Sequence, residues 1–121
     1  MSYHYDWITR QIEIIAATLA YLLSGKKAHV VQIDPTLKQS LGENPLYLQL
    51  SALVGLGRIC EAENLLYEAL EQPDQQVLQA ALQFYDDLNS LSDDVLENAD
   101  FSREEILQGL QHICQIYGIP V

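Results

Sequence analysis

Residues 44–74 read NPLYLQLSALVGLGRICEAENLLYEALEQPD, and this stretch decides the fold. Asn44-Pro45 is a start signal. Asparagine caps free backbone amides, and proline, which lacks an N–H, suits the first helical position. Leu46, Leu50 and Leu53 then recur at helical spacing, with Tyr47 and Val54 beside them, which predicts a helix over 45–56. Gly57 supplies a left-handed stop. A second helix over 60–72 carries Ala62, Leu65, Leu66, Ala69 and Leu70. So short a connection makes the two helices antiparallel neighbours. Pro73-Asp74 ends the pair and caps the next helix.

The same reading extends in both directions. Val77, Ala81, Phe84 and Leu88 form the face of the next helix, with Leu78 and Tyr85 alongside. Ser92 caps a short helix, with Leu91 and Leu96 placed as a hydrophobic staple. Ser102-Arg103-Glu104-Glu105 is a capping box, with Phe101 and Ile106 as its staple. The last helix buries Ile106, Leu110, Ile113 and Tyr117, plus Leu107 and Cys114, and stops at Gly118. Toward the N-terminus, Ile8, Ile12, Ile15, Leu19 and Leu22 mark a helix over 6–24, capped by Asp6 and stopped at Gly25. Residues 25–44 form a loop, with Asp34-Pro35 opening a short helix that ends near Gly42. No strand pattern competes. The expected fold is all-α: a single domain over 1–121, an antiparallel bundle of about five main helices with one or two short ones.

Composition narrows the function classes. The 121 residues are 49% apolar and 19% charged, values of a globular chain rather than a disordered one. The net charge of −11 argues against nucleic acid, which wants a basic footprint. Residues 1–40 hold four bases and three acids, whereas the rest holds two bases and fourteen acids. A near-neutral head on an acidic body reads first as a solvated acidic surface that keeps the protein soluble, and alternatively as a pattern that favours head-to-body association between subunits. Ile14 to Leu23 is too short to span a bilayer, and the first helix lacks the basic strip of a membrane-surface helix. Neither a signal peptide nor a disulfide framework is present, so Cys60 and Cys114 read as reduced thiols of a cytoplasmic protein.

Candidate chemistry is sparse. A calcium loop starting at Asp86 would place Glu97 correctly at its twelfth position, but Leu88 and Leu91 fall where an oxygen ligand and a glycine are needed. His4, His29 and His112 make no helix-spaced ligand pair, and His112 and Cys114 lie on different helix faces. No catalytic, metal or cofactor site is expected. The interface candidates are Tyr3, Trp7, Arg10, Ile14 and Tyr21. Trp7, Ile14 and Tyr21 form a second line on the first helix, seven residues apart. Tyr, Trp and Arg are enriched at binding hot spots. The competing reading has Trp7 close the end of the core and Arg10 pair with Asp6.

Two resemblances bear on this. Residues 57–71, GRICEAENLLYEALE, are similar to the turn and second helix of a tetratricopeptide repeat, with Ala62 and Ala69 at its small packing positions and Leu66 between them. The first helix of the pair lacks that repeat's Trp, Leu-Gly and Tyr pattern, and residues 74–117 are at best a second, degenerate pair. The start, YDWITRQIE at 5–13, with Gly25-Lys26 after the helix, resembles a small uncharacterised family of Firmicute bacteria. The first resemblance implies helix-turn-helix units with a concave binding face to which Tyr47 and Arg58 contribute. The second implies an all-α cytoplasmic protein and no reaction. Repeat units need neighbours to bury their faces, so helix 6–24 must cap the stack or recruit a second subunit. The expected function is a non-enzymatic protein–protein interaction module, a homodimer through the first helix with an unidentified protein or peptide partner. The alternative is a small enzyme or metal-binding protein using the acidic cluster 86–97, with Asp86, Asp87, Asp93 and Asp94.

Overall fold

The computed structural model describes residues 3–24 and 42–119, with side chains over 7–18 and 42–119. Within them the chain is all-helical and has no strand. The helices are α1 (Tyr3–Ser24), α2 (Pro45–Gly55), α3 (Ile59–Ala69), α4 (Gln75–Asn89), the short α5 (Asp93–Asn98) and α6 (Arg103–Ile116). The predicted Gly25 stop and the short helix from Asp34-Pro35 lie outside the described residues. No helix among the described residues is long and apolar enough to cross a membrane.

The caps explain where the helices begin. Asn44 Oδ1 accepts from the Tyr47 amide, while its Nδ2 donates to the Gln76 carbonyl at 2.9 Å and to Gln79 Oε1 at 3.0 Å. One buried side chain therefore caps α2 and ties it to α4. Asp74 caps α4 and Ser92 caps α5 as predicted. The Ser102–Glu105 capping box closes in both directions. One cap differs from expectation. Helix α1 begins at Tyr3, so Asp6 sits inside the helix rather than at its start. Helix α3 also runs from Ile59 to Ala69, shorter than the 60–72 expected, because Leu70 leaves the helical repeat before Pro73 is reached.

The stops share one geometry. Gly57 (φ 78°) and Gly118 (φ 69°) take the left-handed conformation, and the amide after each returns to a carbonyl five residues back, Arg58 to Leu53 and Ile119 to Cys114. Asp100 (φ 59°) does the same without being glycine, and Phe101 N–H reaches Leu96 O at 2.9 Å. Aspartate is one of the few residues that tolerate this region.

Helix α4 is the centre of the molecule. It packs against α1, α2, α3 and α6, while α1 lies mainly on α6 and α2 on α3. Its Phe84, Tyr85, Ala80, Ala81 and Leu88 are fully buried. Cys114 is buried and Cys60 exposed, and both thiols are free.

Candidate functional site

Helix α1 has two apolar lines with different fates. Ile8, Ile12 and Ile15 are 2–3% exposed and belong to the core. Trp7 and Ile14, one heptad apart, keep 53% and 51% of their surface exposed. A heptad-spaced pair occupies one face of a helix, here turned away from the core. Arg10 stands between them in sequence and is also exposed. The side chains of Tyr3 and Tyr21 lie outside the described residues. The first helix thus closes the core with one stripe and presents another outward, and Trp7 does not seal the core's end.

A second polar arrangement joins α3, α4 and α6, and the sequence alone gave no sign of it. Tyr85 is fully buried, and its hydroxyl donates to Glu63 Oε2 at 2.8 Å. Tyr67 donates to the same oxygen at 3.4 Å. The Tyr67 ring meets His112 edge to face, with centroids 5.3 Å apart. Gly109 on α6 makes the approach possible, since a Cβ there would overlap Cζ, Cε1 and Oη of Tyr85. Burial pushes the Tyr85 hydroxyl far above its ordinary value, and the Glu63 charge adds to this. Cys60 lies nearby, its thiol raised first by burial and then by the Glu105, Asp100 and Glu63 carboxylates. A thiol so surrounded is a poor nucleophile.

Burial also raises the Glu63 carboxyl above the usual carboxylate range. The Tyr85 hydrogen bond opposes the shift, the Glu105 charge adds to it, and the Tyr67 bond and His112 act against it. An acid raised on folding binds its proton more tightly in the folded state. Its effect on stability is then most favourable below the unfolded carboxylate value and is lost as pH rises through the folded one. Glu63→Gln keeps an acceptor for Tyr85 and removes the charge. At protein concentrations low enough to keep the chain monomeric, it is expected to melt higher than wild type near neutral pH, with the gap closing as pH falls into the carboxylate range. Melting curves of both proteins from pH 7 downward check this; a gap independent of pH would contradict it.

The acidic stretch 86–97 disperses rather than converges. Asp87 accepts from Tyr47 Oη and from Gln83 Nε2, both at 2.7 Å. Burial, as the larger cause, and this bond push Tyr47 up to about 12. Asp86 is raised by burial and then by the neighbouring Asp87 charge. Asp93 and Asp94 stand in the first turn of α5, and Asp93 receives Arg103. Among the described residues no group of three His, Cys, Asp or Glu is placed to hold a metal ion. Arg58, the other groove candidate besides Tyr47, pairs on the surface with Glu61 at 3.8 Å.

Comparison with protein families adds one result. The model of a family of unknown function (DUF6483) matches residues 2–118. The chain belongs to the DUF6483 family. No curated protein and no solved structure matches it. Membership in DUF6483 brings no reaction, ligand or partner with it, nor the tetratricopeptide resemblance of residues 57–71. The function of this DUF6483 chain has to be read from its own side chains, of which the Trp7–Ile14 line and the Glu63 node are the most distinctive.

Proposed function

We propose that the chain is a non-enzymatic protein-interaction module, assembled from tetratricopeptide-like helix pairs, that self-associates through the outward line of α1. The exposure of Trp7 and Ile14 on a helix whose opposite stripe is core carries this reading. A tryptophan half open to water, one heptad from an equally open isoleucine, is the hot-spot chemistry of an interface. The packing supports repeat-like units: α2 lies on α3, α4 on α6, and the leading helices α2 and α4 lie on each other. Helix α1 then occupies the end of the stack as a cap, so the chain needs no third pair to cover α4 and α6. Two free thiols accord with a reducing cytoplasm. Of the carboxylates of 86–97, Asp87 holds Tyr47 and Gln83 and Asp93 pairs with Arg103, and among the described residues no three ligand groups converge, so the metal or enzyme reading has less to support it.

Light scattering on a sizing column tests this with wild type and a Trp7→Ala, Ile14→Ser double variant. The wild type is expected to elute as a dimer and the variant as a folded monomer with unchanged helical circular dichroism. A wild-type monomer, or a dimer indifferent to both substitutions, would sink the proposal.

A further inference from the structure

We propose that the outward line of α1 in one copy docks on the α3–α6 face of a second copy, with Arg10 set against Glu63 beside the exposed Tyr67 ring. This rests on the self-association proposed above and identifies the surface that the line meets.

Charge is the first argument. A chain of net charge −11 repels its own copies, so an interface between copies must bring opposite charges together. Among the described residues the cations are Arg10, Arg58 and Arg103. Arg103 is tied to Asn89, Leu91 and Asp93, and Arg58 lies by Glu61. Arg10 is exposed, on the same helix surface as Trp7 and Ile14.

The second argument is what Glu63 lacks. Tyr85 and Tyr67 both donate to Oε2, and no hydrogen bond or cation reaches Oε1 among the described residues. A half-buried carboxylate that no described arginine reaches is an incomplete arrangement, because burial penalises the charge and only the two hydroxyls and the nearby His112 offset it. Glu105, on α6, adds further negative potential at this place. Tyr67 is 40% exposed beside the carboxylate. Carboxylate and aromatic edge together suit a guanidinium, which is planar, forks onto a carboxylate and stacks on rings. The hydrocarbon stem of Arg10 would lie between Trp7 and Ile14, so the contact joins an apolar patch to a charged anchor.

A double-mutant cycle tests the pairing through the dimer Kd, measured by sedimentation equilibrium for wild type, Arg10→Gln, Glu63→Gln and the double variant. Gln at 63 preserves the acceptor for Tyr85, and Arg10 is exposed, so all four proteins fold; circular dichroism verifies this. Each single change is expected to weaken the dimer about tenfold, and the double change no more than either alone. Added salt should weaken the wild-type dimer more than the double variant. Additive losses, or no loss in the single variants, overturn the pairing. A dimer broken by the Trp7 and Ile14 changes but indifferent to Arg10 and Glu63 overturns it too, and leaves the self-association standing. A wild-type monomer overturns both.

Discussion

Gly109→Ala is expected to destabilise the protein by about 2–3 kcal/mol, against the direction that helix propensity alone dictates. Alanine in a helix interior is favoured over glycine by about 1 kcal/mol. The added methyl, however, would occupy the space of the Tyr85 ring and hydroxyl. Tyr85 is fully buried on the central helix and cannot swing into solvent. Either α4 and α6 separate, or the ring moves and its hydroxyl loses Glu63. Overpacking costs about 1–3 kcal/mol, and a buried hydroxyl without a partner costs about as much again. The clash therefore outweighs the propensity gain. Pairing the change with Tyr85→Leu separates the two effects: the double variant should be less destabilised than the sum of the singles, since the smaller side chain makes room. Urea unfolding of the four proteins measures it. A stabilised Gly109→Ala protein would show that the helices are not held at this spacing.

Arg103→Met should cost about 2–4 kcal/mol, lowering the melting temperature by roughly 10 °C. The guanidinium is largely buried and acts as a corner post. Nη1 donates to the Asn89 carbonyl and to Asn89 Oδ1, both at 2.9 Å, and Nη2 donates to the Leu91 carbonyl at 2.7 Å. These carbonyls lie at and just beyond the C-terminal end of α4, where the helix dipole is negative and the last carbonyls lack helical partners. The same group reaches Asp93, which starts α5, from the first residue of α6. One side chain thus fixes three helix ends. Asp93 is mostly exposed, so its share of the loss is small, and the carbonyl bonds dominate. Arg103→Lys should recover only part of the loss, because an ammonium cannot fork to Asn89 and Leu91 together. Thermal melts of the three proteins decide it; equal melting temperatures for Arg and Met would show that water replaces these bonds without loss.

The two cases mark the boundary of what sequence discloses. Local chemistry reads well. The Asn44, Asp74, Ser92 and Ser102 caps, the Gly57 and Gly118 stops and the all-helical class depend on residues within a few positions of one another. Asp6 misled because a capping side chain is informative only where the helix starts, and α1 starts at Tyr3. Asp100 escaped because the left-handed stop is normally signalled by glycine. Contacts across the chain were hidden. Arg103 reads as one letter of a capping box, yet it reaches back to Asn89. Tyr85 and Gly109 are a large and a small residue facing each other on different helices, and Glu63 lies on a third. Only the packing of α3, α4 and α6 brings them together. The two lines of α1 could be seen in the periodicity, but which one faced inward required the neighbours.

The docking of α1 on α6 has a consequence for a chain still being made. Roughly eighty residues separate Ser24 from Arg103, an interval of about 4–16 s at ordinary rates of synthesis. Helices α2, α3 and α4 meet in the order in which they emerge. The Ile8, Ile12 and Ile15 stripe finds part of its cover on α4 but must wait for α6 to be closed over. Until then a nascent chain displays part of that stripe beside the outward line of α1, a surface that the finished molecule hides.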